Sequence, residues 1–94
     1  MNRVRISPLA KQDIREAIDF YETQRIGLGY ELFDEIYATI ETVRMNPEAY
    51  GHDEIDVRKK LVHRFPYVVF YRKLSDSIDV VAVAHTSRSD KYRK

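Results

Sequence analysis

Near residue 57 the apolar rhythm of the chain changes, from a repeat of about 3.6 residues before it to one of about two after it. Upstream, Ala10, Ile14, Ala17, Ile18 and Tyr21 recur at helical spacing, while Lys11, Arg15, Glu16 and Glu22 take the other positions, as in an amphipathic helix of about four turns. Ser7-Pro8 is its start signal: the hydroxyl can cap orphan amides, and proline in the first turn sacrifices no hydrogen bond. Gly27 and Gly29 interrupt the pattern. Phe33, Ile36, Tyr37, Ile40 and Val43 resume it as far as Asn46-Pro47, where proline forbids continuation. The short connection predicts an antiparallel helical hairpin.

After a loop over residues 46–56, the segments 57–65, 67–73 and 78–85 are rich in β-branched and aromatic residues. Pro66 and Ser75-Asp76-Ser77 punctuate them, which predicts an antiparallel meander. Residues 3–7 alternate polar and apolar and suit a further short strand. The expected class is α+β. A twisted, mainly antiparallel sheet of three to four strands carries the two-helix hairpin on one face, and the N-terminal strand joins an edge. With 94 residues there is room for one hydrophobic core, hence a single domain over 1–94.

The absence of cysteine removes disulfides, thiolate nucleophiles and cysteine zinc sites together. His52, His63 and His85 show no short ligand spacing, so neither a metal nor another cofactor is expected. No apolar run approaches the roughly 18 residues of a membrane span, and Met1-Asn2-Arg3-Val4-Arg5 lacks a signal-peptide apolar region; the expected compartment is the cytoplasm. The net charge of +1 conceals an asymmetry. Residues 1–56 carry six Lys/Arg against twelve acids, a balance of −6, and residues 57–94 carry ten against three, a balance of +7. A basic working surface on the C-terminal half is the corresponding expectation.

Within residues 57–65 a period of two places Arg58, Lys60, Val62 and Arg64 on one strand face, the three cations at intervals of roughly 7 Å or its double, close to the phosphate spacing of a nucleic acid strand. Such cations also serve simply to discourage edge pairing. Arg72 lies near the end of the next strand, and His85 ends the last, with Arg88, Lys91 and Tyr92 beyond it. Metal-independent RNA cleavage needs a base for the ribose 2′-hydroxyl, cations for the charge on phosphorus and an acid for the leaving oxygen. Histidine, arginine and tyrosine fill those roles, although a histidine at a strand end also serves to bond neighbouring backbone.

The order of these segments resembles the RelE/ParE toxin superfamily of bacterial type II toxin–antitoxin systems. The likeness runs through Ile6-Ser7-Pro8, Ala10 and Asp13-Ile14, then Asn46-Pro47 and Val57-Arg58, then Phe65-Pro66-Tyr67 with Tyr71, and finally His85, Arg88 and Tyr92. The Phe-Pro-Tyr turn and the His-x-x-Arg-x-x-x-Tyr tail look like the ParE-type "plasmid stabilisation" branch. The resemblance implies a growth-inhibiting toxin of the RelE/ParE-like fold, neutralised by a cognate antitoxin, with operator DNA met only through the toxin–antitoxin complex. It leaves three modes open. In the first, a ribosome-dependent, metal-independent endoribonuclease, Arg64, His85, Arg88 and Tyr92 are catalytic, and Arg58, Lys60, Arg72 and Lys91 hold the RNA. In the second, the protein poisons DNA gyrase by binding and cuts nothing. In the third, a degenerate, non-toxic relative only binds its antitoxin as operon co-repressor.

Overall fold

The computed structural model describes residues 2–48 and 57–88. Its elements run β1 (Arg3–Ile6), α1 (Pro8–Gln24), α2 (Leu28–Met45), β2 (Arg58–Leu61), β3 (Tyr67–Lys73) and β4 (Ser77–His85). The sheet order is β1-β4-β3-β2, so the two outer strands are the first and the fourth element of the chain. β1 lies parallel to β4, and the other pairs are antiparallel. This is the expected α+β arrangement, with the N-terminal strand at an edge. Among the described residues no helix is long and apolar enough to cross a membrane.

Ser7 does more than start α1. Its Oγ accepts the Ala10 N–H at 3.1 Å and donates to the Val81 carbonyl of β4, also at 3.1 Å, so one hydroxyl caps the helix and fixes it to the sheet. Gly27, in the left-handed region at φ 91°, supplies the turn into α2 but no capping side chain. Glu22 of α1 supplies the cap instead. Its two carboxylate oxygens accept the N–H groups of Gly27 and Gly29, at 2.8 and 2.9 Å, satisfying orphan amides where the helix dipole favours a negative charge. Gly29 therefore lies inside the second helix rather than between helices.

The core between hairpin and sheet joins Ala10, Ile14 and Ala17 of α1 to Leu32, Ile36 and Ile40 of α2, over Tyr67, Val69, Val80 and Val83. Full burial of a side chain such as Leu32 or Ile36 contributes about 1.5–3 kcal/mol. Tyr71, wholly buried, joins Val43 and Ile78 at the other end and donates its hydroxyl to the Pro47 carbonyl at 2.7 Å. Val57, Val68, Phe70, Ala82 and Ala84 form a second cluster on the opposite face. Phe33 and Tyr37, which helical spacing assigns to the packed face, are instead exposed and stack on each other, because Gly29, Leu32, Ile36, Ile40 and Val43 already fill the inner face of α2.

Candidate functional site

The feature that shapes the site is an extra residue in β4. Phe70 pairs with Ala82 but Tyr71 pairs with Val80, which leaves Val81 without a partner on β3. Such a bulge reverses the alternation of the strand. Ile78 and Val80 face the hairpin before it; Val83 and His85 face it afterwards, opposite Val69 and Tyr67. Backbone groups displaced by the bulge are satisfied from α1 and its cap. The Ser7 N–H donates to the Val80 carbonyl at 2.9 Å, the Ser7 hydroxyl takes the Val81 carbonyl, and the Asp13 carboxylate accepts the Val83 N–H at 2.9 Å. The N-terminal half of α1 is thus a clamp that holds the irregular strand and decides which way His85 faces.

His85 and Arg88 open into a groove of about 440 Å³ between α1 and the end of β4. Asp13, Glu16, Ala17 and Phe20 form its helical wall; Tyr67, Val83, Ala84 and Ser87 complete the lining. The His85 ring meets Tyr67 edge-on at 5.3 Å between centroids. Its Nδ1 accepts the Ser87 N–H at 3.1 Å and lies 2.9 Å from the Ser87 hydroxyl. With Nδ1 an acceptor, the neutral ring carries its proton on Nε2. Burial pushes the Asp13 carboxyl above its ordinary range; the Val83 N–H pulls it back, Glu16 adds to the rise and Arg88 opposes it. Burial likewise raises the Tyr67 phenol, with Tyr21 adding and Arg88 opposing. Among the described residues the groove is therefore of mixed sign, with the Arg88 guanidinium beside the Asp13 and Glu16 carboxylates.

The other cations expected at the site lie elsewhere. β2 stops at Leu61, and Arg64 sits in the following turn at φ 74°, so Arg58, Lys60 and Arg64 do not form one strand face. Arg64 is not part of the groove lining: its guanidinium pairs with Glu31 at 2.9 Å and Glu35 at 3.8 Å on α2, and lies 5.3 Å from the Phe65 ring. Arg58 and Lys60 occupy the hairpin side of β2, opposite Tyr71 and Val69. Arg72 is exposed five residues along β3 from Tyr67, roughly 17 Å from the His85 end, opposite Asp79. Lys91 and Tyr92 lie outside the described residues. Among the described residues, no three His, Asp or Glu side chains gather as a metal site would require. Asp13 and Tyr67 stand in the segments that carry the family likeness, but neither they nor Glu16, Phe20 and Ser87 were expected at the site; the helical spacing of Asp13, Glu16 and Phe20, which shares a flank of α1, is the signal of a common wall.

A search of curated proteins returned no significant match. Among solved structures, the chain is similar to one described as a chromosomal ParDE TA system from P. aeruginosa, with a TM-score of 0.76 at 17% identity over 90% of this chain and 96% of that one, a likeness of fold. Residues 4–90 match the model of the ParE toxin of the type II toxin–antitoxin system parDE. That span runs from β1 through the hairpin, the bulged strand and Arg88, so it takes in every element that builds the groove. The chain belongs to the ParE toxin family of type II toxin–antitoxin systems.

Proposed function

We propose that the protein is a cytoplasmic toxin that arrests growth by binding DNA gyrase rather than by cutting messenger RNA, and that a cognate antitoxin neutralises it. The observation that carries this reading is the engagement of His85. A general base for the 2′-hydroxyl needs an accessible lone pair on nitrogen, whereas Nδ1 is taken by the Ser87 N–H and Nε2 bears the ring proton. Two further features agree. Arg64, the second arginine that RNA cleavage would call on, is held by Glu31 and Glu35, and Asp13 and Glu16 bring negative charge to the groove where a scissile phosphate would have to sit.

The test uses two reconstituted reactions. Ribosomes programmed with a defined message and incubated with the protein should yield no new 3′ ends, while supercoiling of relaxed plasmid by purified gyrase should be inhibited and then restored by the antitoxin. Cuts at the A-site codon that vanish in His85→Ala would replace this reading with the nuclease. An effect in neither reaction would leave a non-toxic, antitoxin-binding co-repressor.

A further inference from the structure

The outer side of the hairpin carries an apolar seam remote from the groove. Tyr30, Phe33 and Tyr37 recur on α2 at steps of three and four, with exposures of 71%, 41% and 38%, and Ile26, 91% exposed, lies in the turn that leads into the helix. The Phe33 and Tyr37 rings lie 4.6 Å apart. On the α1 side the seam opens into a cavity of about 310 Å³, where Lys11, Ile14, Arg15, Ile18 and Asp19 meet Tyr37.

The two flanks of the seam differ in sign. Lys11 and Arg15 stand on the α1 flank with Asp19 one turn beyond them, a balance of +1, and neither cation makes an ion pair among the described residues. At about 100° per residue, Asp34 and Glu41 fall beside Tyr30 and Tyr37 on the flank away from α1. Asp34 makes no ion pair among the described residues, and Glu41 is held by Arg44. A partner of uniform charge would satisfy one flank and be repelled by the other.

We propose that this seam is the docking surface for a second copy of the chain, the two α2 helices lying parallel about a two-fold axis along the seam. That axis exchanges left for right, so Lys11 and Arg15 of each copy meet the partner's Asp34 and the partner's Glu41. An antiparallel pairing would set like flanks against each other. The steps of three and four are those of the a and d positions of a parallel coiled coil. Taking roughly 200 Å² for each large side chain, the four exposed residues offer on the order of 500 Å² per copy. A standard interface takes about 800 Å² per partner, so the dimer is weak and concentration-dependent.

Sedimentation of the full chain without antitoxin, at concentrations up to about 200 µM, tests this. The mass is expected to rise from that of a monomer towards twice that value. Tyr30→Glu, at a position already largely exposed, is expected to keep the circular dichroism of the parent and remain monomeric. Lys11→Glu with Arg15→Glu should weaken association about tenfold or more, and adding Asp34→Lys with Glu41→Lys should restore it. A parent chain that stays monomeric throughout, a folded Tyr30→Glu that associates as well as the parent, or a charge reversal that the second pair does not rescue would each overturn the proposal.

Discussion

Replacing Asp13 by alanine removes the acceptor of the Val83 N–H without touching the strand itself. That N–H lies beside the bulge, on a residue only 3% exposed, and no strand partner replaces the carboxylate. An unsatisfied buried amide costs about 1–3 kcal/mol, and deleting a carboxylate raised by burial returns part of this, so a net loss of about 1–2 kcal/mol is expected. For a domain of this size that lowers Tm by about 4–8 °C per kcal/mol. Asp13→Asn keeps an acceptor oxygen and discards the charge, and should stay within about 0.5 kcal/mol of the parent at neutral pH. The pH dependence has a definite sign. A carboxyl whose pKa is raised on folding contributes stability that is fully present below its unfolded value and lost as pH rises through the folded value. The parent should therefore lose stability relative to Asp13→Asn as pH rises from acid to neutral. Urea unfolding of the three proteins at several pH values, with hydrogen exchange at the Val83 amide, reads both effects. An Asp13→Ala protein as stable as the parent with the Val83 amide still protected would refute the clamp, and a parent that gains on Asp13→Asn with rising pH would refute the dominance of burial at this carboxyl.

Gly29→Ala would place a Cβ 2.6 Å from the Ile18 carbonyl oxygen and 2.8 Å from the Glu22 carboxylate, a backbone clash expected to cost about 1–3 kcal/mol in thermal unfolding. Gly27→Ala meets nothing within 4 Å and should lose only about 1 kcal/mol, from its positive φ. Tyr71→Phe leaves the buried Pro47 carbonyl without its 2.7 Å donor and should lower the urea midpoint by about 1 kcal/mol equivalent. Glu31 is held below the usual carboxylate range first by its hydrogen bond to Arg64 and then by Arg25. The stability it lends is present above its unfolded pKa and lost as pH falls through the folded value. Arg64→Ala should accordingly move the Glu31 titration, followed by carboxyl NMR shifts, back upward; under the binding mode, growth arrest should survive that substitution.

The hairpin and the meander were legible in the sequence because both rest on local signals: the apolar repeat through Ala10, Ile14 and Ala17, the Ser7-Pro8 start, and Pro66 between two β-rich runs. The edge position of the first strand followed from its alternation, but its parallel pairing with β4 depends on a contact between distant segments that no local pattern encodes. The end of β2 at Leu61 was hidden because Arg64 adopts a positive φ without a glycine to announce it. The bulge at Val81 lies within an unbroken apolar run, Val80-Val81-Ala82-Val83-Ala84, in which a slip of one residue exchanges one apolar side chain for another. That His85 and Arg88 lie close together was legible from their spacing at the end of the last strand. Asp13 was not, since a carboxylate on an amphipathic helix reads as solvated surface until its backbone partner 70 residues away is known.

The placement of β1 beside β4 has a consequence for how the toxin is made. Arg3 pairs with Ser77, 74 positions later, so at about 5–20 residues per second the first strand waits roughly 4–15 s for its neighbour to be synthesised. Ser7 and Asp13 wait as well, because the carbonyls and the amide they hold belong to β4. A nascent chain whose C-terminal strand is still to come has its helices but no groove wall bearing His85 and Arg88. Assembly of the groove is thereby deferred to the last stage of translation, when β4 joins the strand and the helix that were made first.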